Sequence, residues 1–129
     1  MPKLHTPPTI APPLSRYSHA VEAPASARWL HISGQVGIKP DGGVAEGLEA
    51  QMVQAWRNIL AILKAADMDR SDLVKVTAFL TSEGADVGLF RDVRDRILGP
   101  AKPASTLIVV AALAKPEYLV EIEAIAAAD

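Results

Sequence analysis

The chain has too few helical segments to cover both faces of the sheet that its sequence predicts. Only two segments have the apolar spacing of a helix, whereas five segments after residue 16 are typical of strands. One strand-like segment is nearly all apolar and places Leu107, Ile108, Val109 and Val110 on both of its faces. A sheet face that no helix covers needs another apolar partner. The obvious partner is a second copy of the same chain, so we expect a homo-oligomer.

The predicted elements follow the order ββαβαββ. A long helix spans Leu48 to Ala66, and a second one spans Val87 to Ile97 and is ended by Gly99 and Pro100. The predicted strands are Tyr17 to Glu22, Arg28 to Val36, Leu73 to Leu80, Ser105 to Leu113 and Leu119 to Ala126. The first two strands are expected to form a hairpin. This order indicates an α+β fold with two helices on one face of a mixed sheet.

Composition and charge exclude several classes of protein. The 129 residues contain no cysteine, which excludes disulfides, thiolate nucleophiles and cysteine-bound metals. Thirteen Lys and Arg are interleaved with fifteen Asp and Glu, so the charge pattern does not favour a nucleic-acid partner. The sequence shows neither a signal peptide nor a membrane span. We expect a cytoplasmic protein with a proline-rich extended lead-in over residues 1–13 and one domain over residues 14–129.

The polar residues predict neither a metal site nor a bound cofactor. His5, His19 and His31 lie far apart and have none of the short spacings that build metal sites. Ser33 precedes Gly34 but lacks the flanking pattern of a hydrolase nucleophile. The charged segment from Arg91 to Arg96 is predicted to be a solvated helix face.

Two glutamates on the last predicted strand are the most informative polar residues. Strand geometry puts Glu121 and Glu123 on the same face, about 7 Å apart. One interpretation is that they line an exposed edge or pair with basic side chains. The other is that one of them faces a partly desolvated pocket, where it passes a proton or orients a water molecule.

Six segments, taken in order, resemble the RidA/YjgF family, whose members are also labelled endoribonuclease L-PSP. They are Tyr17, Ser33-Gly34-Gln35, the helix segment Gln51 to Leu63, Asp72 to Val76, Pro103-Ala104 and Val120 to Ala126. The similarity runs from about Tyr17 to Ala126, which is nearly the whole predicted domain. The resemblance implies a chorismate-mutase-like fold, a homotrimer with a barrel-like core and three clefts between subunits.

The resemblance also implies an activity and a set of site residues. RidA-type members hydrolyse 2-imino or enamino acids to 2-oxo acids and ammonia, without a metal or cofactor. By this resemblance Glu121 would orient or deprotonate the attacking water, and Tyr17 would hydrogen-bond the ligand. The expected substrate-binding residues are Ser33, Gly34, Phe90 and Ser105.

Ser105 stands where the family has an arginine that grips the substrate carboxylate. A serine hydroxyl cannot replace a planar, charged fork of donors. One alternative is a retained 2-iminobutanoate/2-iminopropanoate deaminase-like activity, with Arg16, Arg28, Arg91 or Lys102 as the substitute. Another is a non-catalytic small-molecule-binding or chaperone-like trimer. A third, taken from family labels alone, is an endoribonuclease or translation inhibitor.

Overall fold

The chain folds into a four-stranded sheet with two helices on one face, and a two-stranded ribbon beside it. A computed structural model describes residues 2–129, so Met1 of the predicted lead-in lies outside the described residues. The elements are β1 (Lys3–His5), β2 (Ala20–Glu22), β3 (Arg28–Gln35), α1 (Leu48–Ala65), β4 (Leu73–Thr81), α2 (Val87–Leu98), β5 (Ala104–Val110) and β6 (Val120–Ala128), with a 3₁₀ turn at Arg70–Asp72. The main sheet has the order β3-β6-β4-β5. Its β4–β5 pair is parallel and its other pairs are antiparallel. The predicted α+β fold with a mixed sheet is confirmed.

The core lies between the sheet and the two helices. On α1, the predicted apolar stripe buries Met52, Trp56, Ile59 and Leu63 completely. Strands β4 and β6 meet this stripe with alternate residues, since burial there follows the period of two that a half-buried strand requires. The fully buried members of these strands are Val76, Ala78, Leu80, Val120, Ile122 and Ala126.

The opposite face of the sheet has no helix over it. Phe79 and Ile125 lie on this face and are half-buried. At its rim, Trp29 is 51% exposed and Ile108 is 40% exposed. The face also carries polar residues, among them Glu121 and Glu123. We call this surface the open face.

The predicted hairpin between the first two strands is wrong. β2 pairs with β1, a strand within the lead-in, and not with β3. The physical reason is Ser18, which is buried and holds the preceding segment at β5, on the opposite edge of the sheet from β3. Its hydroxyl donates to the Lys102 carbonyl (2.6 Å), and its backbone forms a parallel bridge to Ala104.

In the two-stranded ribbon of β1 and β2, the hydrogen bond and the charge of His5 hold the pKa of the Glu22 carboxyl below its usual value.

Element ends follow the turn chemistry of the sequence, with one difference at the end of β5. Gly99 ends α2 at φ 58°, as predicted, and Asp67 adopts a left-handed φ of 55° after α1. β5 stops at Val110 rather than Leu113, because its partner β4 ends at the paired Thr81. Within residues 2–129, no helix is long and apolar enough to cross a membrane.

One polar residue of α1 is buried against expectation. Gln51 is 3% exposed although the sequence pattern places it off the apolar stripe. Its amide donates to the carbonyls of Ala45 and Glu117 and accepts from the amide of Leu119. These contacts join the start of α1 to the turn that leads into β6.

Candidate functional site

Three of the predicted site residues meet in a small cleft between α2, β5 and the segment before β2. Tyr17, Phe90 and Ser105 line this cleft, whose volume is about 150 Å³. Ser105 is paired in register with the buried Val76, so it lies on the helix side of the sheet. Phe90 faces inward from α2 and is 2% exposed. We call this cavity the Tyr17 cleft.

Tyr17 is positioned by the residues on either side of it. Ser18 anchors the chain at β5, as described above, and the Tyr17 hydroxyl accepts a hydrogen bond from the Leu14 amide at 3.4 Å. The Tyr17 ring also meets the His19 ring edge-on, with centroids 6.4 Å apart. The phenol is half-buried and keeps its own O–H available for a ligand.

Glu121 and Gly34 form a second group, on β6 and β3. Glu121 lies on the open face of β6, since it is paired with Phe79. Gly34 lies in an irregular part of β3, where the register with β6 shifts between Ile32 and Gln35. A Cβ atom on Gly34 would overlap the Oε2 atom of Glu121. The Glu121 carboxylate can therefore occupy this position only because residue 34 has no side chain.

Ser33 and Glu123 line a separate cavity on the open face. This cavity measures about 300 Å³ and is also lined by His31, Lys75 and Thr77. Ser33 and Glu123 are both exposed, whereas Glu121 is half-buried. The two glutamates share a face, as the spacing predicts, but their surroundings differ.

One chain does not bring all the predicted site residues together. β3 and β5 are the two outer strands of the main sheet. The Tyr17 cleft is at the β5 edge, on the helix side, and the Gly34–Glu121 contact is near the β3 edge, on the open face. Neither Gly34 nor Glu121 lines the Tyr17 cleft.

The four basic residues that the sequence analysis considers as substitutes for an arginine at residue 105 have different surroundings. Arg16 donates to the Gly99 carbonyl, and Arg28 donates to the carbonyls of Ala66 and Asp129. Lys102 is exposed and does not line the Tyr17 cleft. Arg91 does line it.

Arg94 is a residue of the cleft that the sequence analysis missed. The charge pattern predicts a solvated helix face there, but Arg94 is 4% exposed and lines the Tyr17 cleft. The available signal is its spacing, because Arg94 follows Phe90 by four residues and so shares the apolar side of α2. Burial of an arginine at such a position needs polar partners, which a single sequence does not reveal.

The Gly34–Glu121 contact predicts the effect of a single methyl group. We expect Gly34→Ala to lower the free energy of unfolding by about 1–3 kcal/mol, because the added carbon forces Glu121 to move. The matched control is Gly88→Ala in α2, whose Cβ would lie 3.6 Å from Asp86 Oδ1. That change should stabilise the protein by up to about 1 kcal/mol. Urea denaturation measures both; equal effects would contradict the role assigned to Gly34.

The architecture defines a class: a small α+β domain with two helices on one face of a mixed sheet and polar groups at both of its edges. A family model described as Endoribonuclease L-PSP matches residues 9–128. A RutC family protein of Pyrococcus horikoshii is 37% identical over 116 residues, covering 88% of each chain. The mouse 2-iminobutanoate/2-iminopropanoate deaminase is 38% identical over 112 residues, covering 85% of this chain and 79% of the relative.

A solved structure agrees with these sequence relatives. The Rid family protein YyfB from Yersinia pestis superimposes with a TM-score of 0.87 at 32% identity, over 98% of each chain. The chain belongs to the RidA/YjgF family, as its sequence motifs predict.

Proposed function

We propose that the chain forms a homotrimer whose inter-subunit clefts hydrolyse small 2-imino or enamino acids to 2-oxo acids and ammonia. The observation that carries this proposal is the division of the candidate residues between two edges of one sheet. A cleft that contains Tyr17, Phe90 and Ser105 together with Glu121 and Gly34 requires two chains. The family and the mouse relative named as an imine deaminase support the reaction class.

The open face supports the assembly. Three chains related by a three-fold axis join unlike surfaces and close into a ring. Such a ring would place the apolar residues Phe79 and Ile125 in a shared, barrel-like interior and would cover Trp29 and Ile108. It would also create three equal clefts, each with the Tyr17 group of one chain and the Glu121 group of the next.

In the proposed reaction, the side chains act on a water molecule and an imine carbon. Glu121 takes a proton from water as the water oxygen bonds to the imine carbon, and the imine nitrogen takes up a proton from solvent, which gives a carbinolamine. Glu121 then returns its proton to the nitrogen, the C–N bond breaks and ammonia leaves. The carbinolamine hydroxyl releases its proton to solvent as the carbonyl forms. The Tyr17 hydroxyl holds the ligand, Gly34 lies beside Glu121, and Ser33 lies on the same strand next to Gly34. No metal or cofactor is needed for this balance.

Neither alternative function is favoured. The family model carries an endoribonuclease description, but the net charge of −2 and the interleaved charges favour a small-molecule ligand over RNA. The non-catalytic trimer would share the same clefts and differ only in lacking turnover.

Release of 2-oxo acid or ammonia from freshly generated 2-iminopropanoate and 2-iminobutanoate tests the activity. We expect rates above the buffer reaction. Equal rates with and without protein, for several side chains, would overturn the deaminase proposal. Sedimentation should give three times the 13.7 kDa chain mass, and a monomer would overturn the assembly.

Mixing two inactive variants tests whether a cleft is shared. Glu121→Gln and Tyr17→Phe each damage one side of every cleft. If each cleft takes one group from each of two chains, trimers reassembled from an equal mixture should regain about a quarter of the wild-type activity. If both groups act within one chain, the mixture should show only the average of the two variants.

A further inference from the structure

We propose that Arg91 and Arg94 form the binding site for the carboxylate of a small aliphatic acid in the Tyr17 cleft. The role of the two arginines in catalysis rests on the proposed function. In that reaction they would hold the substrate carboxylate, because residue 105 is a serine. The binding site itself stands on the charges and contacts of the cleft.

The lining of the cleft is positive and lacks carboxylates. Besides the two arginines, it carries three hydroxyl groups, and its other walls are apolar. The hydroxyl groups belong to Ser15, Tyr17 and Ser105. Within residues 2–129, no aspartate or glutamate lines this cavity. Two cations beside hydroxyl donors in a confined space favour an anionic ligand.

Arg94 is held in place by the protein. Its Nε donates to Asp95 Oδ1 at 3.1 Å, and its Nη2 donates to Ser15 Oγ at 3.3 Å. The Arg94 side chain is only 5% exposed, so its guanidinium is fixed and largely shielded from water. A guanidinium has five N–H donors, and these bonds leave several of them for a ligand. Asp95 offsets part of the charge of Arg94 but does not line the cleft.

Arg91 supplies the second cation without an internal partner. It precedes Arg94 by three residues and therefore lies on the same side of α2. It is half-buried and, within residues 2–129, makes neither a hydrogen bond nor an ion pair. Its planar fork of donors is thus available for a carboxylate, which it can bind through two parallel hydrogen bonds. Ser105 contributes a short side chain, which leaves room for that fork.

The size and walls of the cleft limit the ligand. The cleft measures about 150 Å³, which is small for a ligand site. Leu14, Phe90 and Leu107 provide apolar contact for a short side chain. The cleft therefore suits a monocarboxylate of a few carbon atoms rather than a phosphate ester or a long acid.

Calorimetric titration of the trimer with pyruvate tests the site. We expect saturable binding that weakens with added salt, and a loss of about 10- to 100-fold in affinity for Arg91→Gln. Arg91→Lys keeps the charge but not the fork and should lose less. The control is Arg96→Gln on the same helix, which removes the same charge from a side chain that is 60% exposed and faces Glu49. It should bind pyruvate like the wild type.

The outcomes separate this inference from the proposed function. If the wild type binds pyruvate and Arg91→Gln does not, the carboxylate site is supported even when no imine is hydrolysed. If the wild type hydrolyses imino acids and Arg91→Gln has an unchanged KM, the deaminase proposal survives and the arginine site is overturned. A wild type that does not bind pyruvate, or an Arg91→Gln variant that dissociates into monomers yet keeps its pyruvate affinity, also overturns it.

Discussion

Glu121→Gln is expected to lower kcat for imine hydrolysis by about 10²- to 10⁴-fold, the range for loss of a positioned general base. The amide has nearly the same shape as the carboxylate, so the substituted side chain should fit beside Gly34, but it cannot take a proton from water. Stopped assays of 2-oxo acid release would measure the change. Affinity for pyruvate should change little, because Arg91 and Arg94 line the Tyr17 cleft and Glu121 does not.

Glu123→Gln is the matched control for this prediction. Glu123 lies two residues further along β6, on the same face, and the change removes the same charge. It is exposed, whereas the atoms nearest to a Cβ on Gly34 all belong to Glu121. We expect kcat to stay within a few-fold of wild type. Equal losses in the two variants would show that the open face responds to charge in general, and Glu121 would lose its assigned role.

The fold could be predicted from sequence where local periodicity and core packing agree. The apolar residues of α1 and α2 repeat at the helical period, and those of β4 repeat at the period of a strand. Both helices end near strong turn residues. The failed hairpin shows the limit, because β2 takes its partner from contacts distant in sequence. Ser18 is tied to residues 102–104, more than eighty positions away, and no local pattern marks that bond.

The candidate site, like the fold, could be predicted from sequence only in part. Its residues could be named from a resemblance, but their division between two sheet edges depends on strand order, which the sequence does not state. Polarity alone predicts that Arg94 and Gln51 are solvated, and only Arg94 has a helical spacing that favours burial. In each case a buried polar group is stabilised by partners from other elements, Ser15 for Arg94 and Glu117 for Gln51.

The inferred arginine site changes how the serine at residue 105 is understood. An arginine on β5 and one on α2 would both line the Tyr17 cleft, from different elements. A cation on α2 would bind a carboxylate from a different angle than a cation on β5. Ser105→Arg would place three cations in about 150 Å³. Mutual repulsion would offset part of any gain in affinity.

Gln51→Ala should be among the most destabilising single changes in this chain. It removes three hydrogen bonds and leaves the carbonyls of Ala45 and Glu117 and the amide of Leu119 without their partner. Each unsatisfied buried group costs about 1–3 kcal/mol, and water entering the space recovers part of this. We expect the free energy of unfolding to fall by about 2–4 kcal/mol. Urea denaturation at equal protein concentration measures it, since association also contributes to stability.

Gln54→Ala separates this effect from the loss of any glutamine in α1. Gln54 is half-buried, and its amide donates to Asn58 on the same helix at 2.8 Å. Such a pair contributes about 0.2–0.5 kcal/mol, so the variant should unfold almost like the wild type. Gln51→Glu should be at least as harmful as Gln51→Ala, because a buried carboxylate would face two carbonyls that need donors. Similar stability of Gln51→Ala and Gln54→Ala would mean that the turn before β6 is held by its own packing rather than by Gln51.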